Sequence, residues 1–130
     1  HLCAEVVGIY KKDRAPLAAI ALNTDTSILT AVANDMGYDQ VFERQVIALA
    51  KKEDLLFAIS TSGESKNVIK AVKIGKEIGV SSILLTGKKE STLSKLVNIS
   101  INVPSNKVNH IQEMHIIIGH FICEMVEKDF

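Results

Sequence analysis

The chain has 130 residues and is 47% hydrophobic, which is enough for one compact domain with its own core. Its 15 Lys and Arg residues balance 15 Asp and Glu residues, and only 5% of residues are aromatic, so the composition argues against nucleic-acid binding. No apolar run reaches the ~20 residues that a membrane-spanning helix needs. Two cysteines, Cys3 and Cys123, and no signal peptide lead us to expect a reduced, cytoplasmic protein whose thiols pack as small apolar groups.

The predicted elements alternate between apolar strands and amphipathic helices. The chain begins with a helical pattern, because Leu2, Val6 and Ile9 recur at helical spacing. Four apolar segments typical of buried parallel strands follow, at 17–22, 54–59, 80–86 and 98–103. Helical patterns occupy 27–34, 41–50, 65–78 and the shorter stretch 92–96, and a final helix runs from about 108 to 128. The order predicts a single α/β domain over residues 1–130, with a parallel sheet flanked by helices on both faces.

The loop Ser-Thr-Ser-Gly-Glu-Ser at 60–65 lies between a predicted strand and a predicted helix. A helix start offers unpaired N–H groups and the positive end of the helix dipole, and four hydroxyl groups add neutral donors. Gly63 permits a sharp turn. The loop therefore predicts a site for the phosphate group of a small molecule. The alternative is that Ser62 or Ser65 only caps the helix. Neither the Walker A pattern nor the dinucleotide-binding glycine pattern is present, which disfavours nucleoside triphosphates and NAD.

Two pairs of side chains could perform chemistry. His1 and Glu5 are four residues apart and share a helical face, while Gln112 and His120 lie ~12 Å apart along the final helix. Together they could bind a divalent metal, zinc above all, or act as general base and general acid. The alternatives are a surface ion pair between His1 and Glu5 and a core position for His120. Gln112 and His120 of one helix can meet at one atom only if both side chains lean along the helix axis, and a second copy of the chain that completes the site would remove this strain. We therefore expect the site at a subunit interface.

Other polar residues carry weaker signals. Asp25, Asn34 and Asp35 could contact sugar hydroxyl groups or cap the helix predicted at 27–34. We expect His115 to pack in the core or to support the site from behind. The residues at 88–90, Lys-Lys-Glu, predict a solvated loop.

These features together resemble the sugar isomerase (SIS) family, and within it the bacterial phosphoheptose isomerases. The Ser-Thr-Ser-Gly loop marks the broad fold, and the His1/Glu5 and Gln112/His120 sets narrow the resemblance to the isomerases. The matching stretches span nearly the whole chain: His-Leu-Cys-Ala-Glu at 1–5, Thr-Asp-Thr-Ser-Ile-Leu-Thr at 24–30, Ala-Asn-Asp-Met-Gly-Tyr at 33–38, Val-Phe-Glu-Arg-Gln at 41–45, Ile-Ser-Thr-Ser-Gly at 59–63, Ile-Gln-Glu-Met-His at 111–115 and Gly-His at 119–120.

The resemblance implies an aldose–ketose isomerase that converts sedoheptulose 7-phosphate to D-glycero-D-manno-heptose 7-phosphate, for the heptose of lipopolysaccharide, through an enediol. It also implies a cytoplasmic homotetramer with active sites shared between subunits. Glu5 would be the general base and His120 the general acid. By the same resemblance, the zinc ligands are His1, Glu5, Gln112 and His120, and the substrate-binding residues are Asp35, Ser60, Thr61, Ser62, Ser65 and Gln112.

The sequence departs from the family pattern at several positions. The family has a strand and a Gly-Asn-Gly-Gly-Ser loop before the first helix, and this sequence lacks them, so we expect a flavodoxin-like sheet without its N-terminal strand. Asn109 replaces a frequent aspartate, and Glu64 a frequent asparagine. The alternative function is a non-catalytic SIS protein that binds a sugar phosphate or associates with a replication initiator. Such a protein would not need Glu5 and His120, so their presence favours the enzyme.

Overall fold

The computed structural model describes residues 1–87 and 90–130. Lys88 and Lys89 lie outside this part, so of the loop predicted at 88–90 only the exposed Glu90 is described. In chain order, the elements are α1 (Leu2–Val7), α2 (Thr26–Met36), a 3-10 turn (Tyr38–Gln40), α3 (Glu43–Leu49), β1 (Leu55–Ile59), α4 (Lys66–Ile78), β2 (Ser81–Thr86), β3 (Ile99–Asn102) and α5 (Val108–Lys128).

The three strands form a parallel sheet in the order β1-β2-β3. Leu56 lies opposite Ser82, and Leu84 lies opposite Ser100. Parallel neighbours need a crossover, which α4 supplies between β1 and β2. The predicted parallel α/β architecture is therefore confirmed for the described residues.

The core lies on both sides of the central strand β2. Leu84 is fully buried in a cluster with Ala58, Val72 and Leu93, on the face that α4 covers. The next residue, Leu85, is also fully buried and points to the opposite face, because successive side chains of a strand alternate. On that face α5 packs against β2. The prediction of helices on both faces of the sheet is thereby confirmed.

The strand predicted at 17–22 is wrong. The described sheet ends at β1, so this segment has no described strand to pair with, and 67% of Ile20 is exposed. One backbone bond, from the N–H of Leu17 to the oxygen of Val6 at 3.3 Å, attaches its start to α1. Apolar sequence alone does not make a strand, because a strand exists only through hydrogen bonds to a neighbour.

Two predicted helices are also corrected. The stretch 92–96 is a series of turns with one helical bond, from the N–H of Val97 to the oxygen of Leu93 at 3.2 Å. Five residues are too few to offset the cost of helix nucleation. The helix predicted at 41–50 is shorter, because α3 begins at Glu43 after the 3-10 turn.

Cys3 and Cys123 are both free thiols, and burial raises the pKa of Cys123, as expected for a packed apolar group. None of the helices in the described part of the chain is long and apolar enough to cross a membrane.

Candidate functional site

The loop 60–65 is fixed to the carboxyl end of β2. The N–H of Ser60 donates to the oxygen of Leu85 at 3.0 Å, and the N–H of Gly87 donates to the oxygen of Thr61 at 3.0 Å. On the other side, the N–H of Leu93 donates to the oxygen of Gly63 at 3.1 Å. The position at the carboxyl ends of parallel strands is where open α/β sheets bind ligands.

The hydroxyl groups of this loop organise its backbone. The Oγ of Ser60 lies 2.9 Å from the Oγ of Ser65 and accepts the N–H of Gly63 at 3.1 Å. Ser60 is 6% exposed, so these bonds are sheltered from water. Ser62 is exposed and accepts the N–H of Glu64 at 3.2 Å.

Ser65 occupies the position that caps α4, but its side chain makes no capping hydrogen bond. Its hydroxyl is directed at Ser60 instead, while the N–H of Val68 is bound by the side chain of Asn67 at 2.9 Å. Ser65 thus lies at the N-cap position, as the capping alternative predicted, but its hydroxyl bonds to Ser60 and does not cap the helix. The arrangement collects hydroxyl groups at the positive end of a 13-residue helix.

Gly63 is required by the shape of the loop. Its φ is +69°, in the left-handed region that glycine tolerates best. A Cβ at this position would also collide with the side chain of Ser91. Both observations explain why a glycine lies among these hydroxyl-bearing residues.

The acidic side chain in the loop is held by the turns that follow β2. The carboxylate of Glu64 accepts the N–H of Thr92 at 2.9 Å and its hydroxyl at 2.6 Å. These bonds tie the loop to the stretch 92–96. A glutamate where the family often has asparagine therefore has a structural partner.

A second group of polar side chains joins the two ends of the described chain. The Nε2 of His1 lies 2.9 Å from the Nε2 of His120 and 3.4 Å from the Oε1 of Glu5. The two imidazole rings are edge to face, with centroids 5.1 Å apart. His1, Glu5 and His120 thus form one cluster, which we call the His/Glu cluster.

The packing of α1 on α5 creates the His/Glu cluster. Gly119 faces Leu2, and a Cβ at Gly119 would lie 2.6 Å from the Cδ2 of Leu2. The missing side chain allows α1 to approach α5 closely beside His120. A surface ion pair accounts only for His1 and Glu5, and a core position only for His120. Neither alternative accounts for the fact that His1 contacts both Glu5 and His120.

The donor set of the His/Glu cluster fits a divalent metal. Two imidazole nitrogens and a carboxylate oxygen lie within 4.8 Å of one another. Tetrahedral zinc with ligand distances of about 2.0–2.2 Å separates its ligands by roughly 3.3 Å, close to the 3.4 Å between His1 and Glu5. Three protein ligands and an open position are typical of catalytic zinc.

Tyr10 is a neighbour of the cluster that the sequence analysis missed. Its ring stacks on that of His120, with centroids 5.8 Å apart and planes inclined by 22°. Tyr10 lies beyond the end of α1, after Gly8, where no helical spacing relates it to Glu5. A tyrosine close behind a paired His and Glu was the only available signal.

The structure does not join the remaining predicted site residues to the His/Glu cluster. Gln112 is exposed on α5, ~12 Å along the axis from His120. Asp35 is exposed and accepts a bond from Asn34 at 3.0 Å, while Asp25 caps α2 through the N–H of Ile28 at 2.9 Å. None of the four loop hydroxyl groups bonds to His1, Glu5 or His120 in the described part of the chain.

His115 lies on the buried side of α5, as expected. It is 4% exposed, and the backbone of Thr86 interacts with its ring. Burial lowers the pKa of His115 from its ordinary value, although the backbone of Thr86 acts in the opposite direction. The shift favours the neutral imidazole near the end of β2.

The chain is similar to known proteins in sequence and in fold. The profile of the SIS domain family matches residues 1–87. The chain is 51% identical over 129 residues to the phosphoheptose isomerase of Aliarcobacter butzleri, covering 99% of this chain and 68% of that protein. It is 48% identical over 130 residues to the phosphoheptose isomerase of Helicobacter pylori strain P12, covering 100% of this chain and 68% of that protein.

Solved structures give the same result. The structure of a phosphoheptose isomerase from Francisella tularensis superposes with a TM-score of 0.93 at 36% identity, covering 98% of this chain and 69% of that one. The phosphoheptose isomerase from Neisseria gonorrhoeae gives a TM-score of 0.91 at 42% identity, covering 98% of this chain and 68% of that one. The chain belongs to the phosphoheptose isomerase family of SIS-domain proteins.

Proposed function

We propose that the protein is an aldose–ketose isomerase that converts sedoheptulose 7-phosphate to D-glycero-D-manno-heptose 7-phosphate, for heptose of lipopolysaccharide. The observation that carries this proposal is the His/Glu cluster, in which a carboxylate and two imidazoles from distant parts of the chain meet within 4.8 Å. Membership of the phosphoheptose isomerase family supports it and favours the enzyme over a non-catalytic binding protein.

The loop 60–65 binds the phosphate group of the sugar. The hydroxyl groups of Ser60, Thr61, Ser62 and Ser65 donate to its oxygens, and the positive end of α4 favours its charge. Asp35 and Gln112 contact the sugar chain. Because these contacts exist in both substrate and product, they contribute to binding more than to the rate of proton transfer.

Glu5 moves the proton between the two carbons. Its carboxylate removes a proton from C1 of the ketose, which gives an enediol, and returns the proton to C2. His120 donates a proton to the carbonyl oxygen at C2, so that negative charge does not build up there. The deprotonated His120 then takes the proton from the hydroxyl group at C1, which completes the aldehyde and restores the general acid.

Zinc is the cofactor that the donor set favours. His1, Glu5 and His120 would hold it, with the amide oxygen of Gln112 from a second copy of the chain as a fourth ligand. Because zinc lowers the proton affinity of a bound side chain, Glu5 and His120 would act as base and acid only where substrate displaces them from the metal. When bound, zinc polarises a carbonyl or hydroxyl oxygen as a Lewis acid. Metal analysis of the purified protein tests this assignment. One zinc per site that is lost in Gln112→Ala supports four ligands, and full occupancy in that variant argues against Gln112.

The active site forms between subunits of a cytoplasmic homotetramer. Within one described chain, Gln112 lies ~12 Å along α5 from His120, which supports a contribution of Gln112 from a second copy. Light scattering of the intact protein measures the assembly. A monomer with full activity would overturn the shared site.

The direct test is turnover of sedoheptulose 7-phosphate by the intact protein. We expect wild-type turnover, and loss of turnover in Glu5→Gln and in His120→Asn. Glu77→Gln, on an exposed residue of α4, is the matched control and should keep wild-type activity. Binding of the sugar phosphate without turnover in the wild type would overturn the isomerase and favour a sensor.

A further inference from the structure

A buried ion pair links the segment after α1 to the end of α5. The Nε of Arg14 lies 3.5 Å from the Oε1 of Glu127, and the two side chains are only 6% and 3% exposed. A buried pair of this kind is costly to break, because removing one partner leaves the other charged and desolvated.

Arg14 also bonds to the backbone of α1. Its Nη2 donates to the oxygen of Glu5 at 3.0 Å, and its Nη1 donates to the oxygen of Val6 at 3.1 Å. These oxygens belong to the last turn of α1, where helix carbonyls have no partner within the helix. A positive group there also complements the helix dipole. Arg14 thus caps the helix turn that carries Glu5.

The carboxylate of Glu127 is itself held in place by backbone donors. Both of its oxygens accept the N–H of Lys11, each at 3.2 Å. Burial acts to raise the pKa of Glu127, but the backbone N–H groups of Lys12 and Lys11 and the charge of Arg14 lower it below its ordinary value. Glu127 is therefore a fixed, charged anchor for Arg14.

The location of this pair relates it to the His/Glu cluster. Helix α1 has six residues, buries none of them fully, and is too short to be stable alone. Its start is fixed where Leu2 meets Gly119, beside His120. Its end is fixed by Arg14 and Glu127, and Glu127 lies ~10 Å along the same helix from His120. One rigid helix, α5, thus carries one residue of the cluster and the anchor for the other two.

We propose that Arg14 and Glu127 are positioning residues that hold the carboxylate of Glu5 at its working distance from His120. This inference rests on the proposed function, in which Glu5 is the base. A displaced base loses rate and not substrate affinity, because the phosphate loop belongs to other elements.

The test compares three variants of the intact protein. Glu127→Gln weakens the anchor because it removes the negative charge that faces Arg14. Arg14→Lys weakens it because a lysine lacks the planar fork that reaches two carbonyl groups and a carboxylate together. Glu124→Gln is the matched control: it makes the same chemical change three residues earlier on α5, where the half-buried Glu124 pairs with Lys11 at 2.6 Å. Each variant is checked for folding by circular dichroism, then assayed for kcat, KM and amide hydrogen exchange over residues 5–9.

We expect Glu127→Gln and Arg14→Lys to lower kcat by about 100-fold with KM within about twofold, and to speed exchange over residues 5–9. Glu124→Gln should match the wild type in all three measurements. Wild-type kcat in folded Glu127→Gln and Arg14→Lys would overturn the proposal. If Glu127→Gln does not fold, Arg14→Lys alone decides. If the wild type itself shows no turnover, the proposed function fails, and unchanged exchange in Arg14→Lys would separately refute the anchor.

Discussion

The loop 60–65 and the His/Glu cluster are built in opposite ways. The loop consists of six consecutive residues between β1 and α4, and backbone bonds to Leu85 and Gly87 fix it to the sheet. The cluster joins residues 119 positions apart and depends on the packing of a six-residue helix against α5. In the proposed mechanism, binding thus uses a loop that backbone bonds fix to the sheet, whereas proton transfer depends on a small helix that needs external anchors.

This difference predicts separate kinetic consequences. Damage to the loop should raise KM, because the phosphate is held equally in substrate and product. Damage to the cluster should lower kcat, because the side chains of the cluster interact with the migrating proton only in the transition state.

The largest effect is expected for the general acid. His120→Asn should lower kcat by about 1,000-fold, since a positioned acid or base contributes 10²–10⁴-fold, and should leave KM within about twofold. Steady-state kinetics with sedoheptulose 7-phosphate measures both. His110→Asn, on an exposed residue of the same helix, is the control. A rise in KM with unchanged kcat would assign His120 to binding.

For the loop 60–65 we expect a smaller effect, and one on KM instead of kcat. Gly63→Ala puts a side chain at φ +69° and against Ser91, so it should raise KM about tenfold or more through strain of ~1–3 kcal/mol. Gly75→Ala is the control, because a Cβ there would meet Leu56 at an ordinary 3.4 Å. Wild-type KM in Gly63→Ala would show that the loop shape does not matter for binding.

Ser60 is buried and Ser62 is exposed, so the same substitution at these two positions should change the stability of the fold by different amounts. Ser60→Ala removes the buried acceptor of the Gly63 N–H and should lower the free energy of unfolding by about 1–2 kcal/mol. Ser62→Ala changes an exposed residue and should stay within about 0.5 kcal/mol of the wild type. Urea unfolding measures both variants, and equal losses would contradict the buried network.

The smallest effect is a pH dependence that comes from His115. Burial lowers its pKa in the folded state below the ordinary value of 6.5 that applies when unfolded. The unfolded state therefore binds more protons below pH 6.5, and the stability that is fully present above this pH is lost as the pH falls toward the folded pKa. The melting temperature should fall more steeply below pH 6.5 in the wild type than in His115→Gln. Parallel curves would show that His115 does not contribute.

The sequence predicted well what consecutive residues determine. The helices at 65–78 and 108–128 and the apolar strands of the sheet follow from local periodicity, and they are confirmed as α4, α5 and β1–β3. The prediction of a strand at 17–22 was wrong for a related reason. Its apolar residues are typical of a strand, but strand pairing depends on a neighbour that local sequence does not encode.

The His/Glu cluster was predicted only in part from the residues. The spacing of His1 and Glu5 indicated a shared face, but their contact with His120 depends on tertiary packing through Gly119, and resemblance to a family supplied that link. Tyr10 and the Arg14–Glu127 pair carried no pattern, because each acts through a fold that only the packed helices create. The roles of all the predicted site residues, Asp35 and Gln112 among them, stay predictions.

The most direct test of the account is a crystal structure of the intact assembly of Glu5→Gln with sedoheptulose 7-phosphate bound. The account predicts the phosphate group against the hydroxyl groups of 60–65, and C1 and C2 within hydrogen-bonding reach of residue 5 and His120 of the same or a partner subunit. A phosphate bound elsewhere, or reacting carbons remote from both side chains, would contradict it.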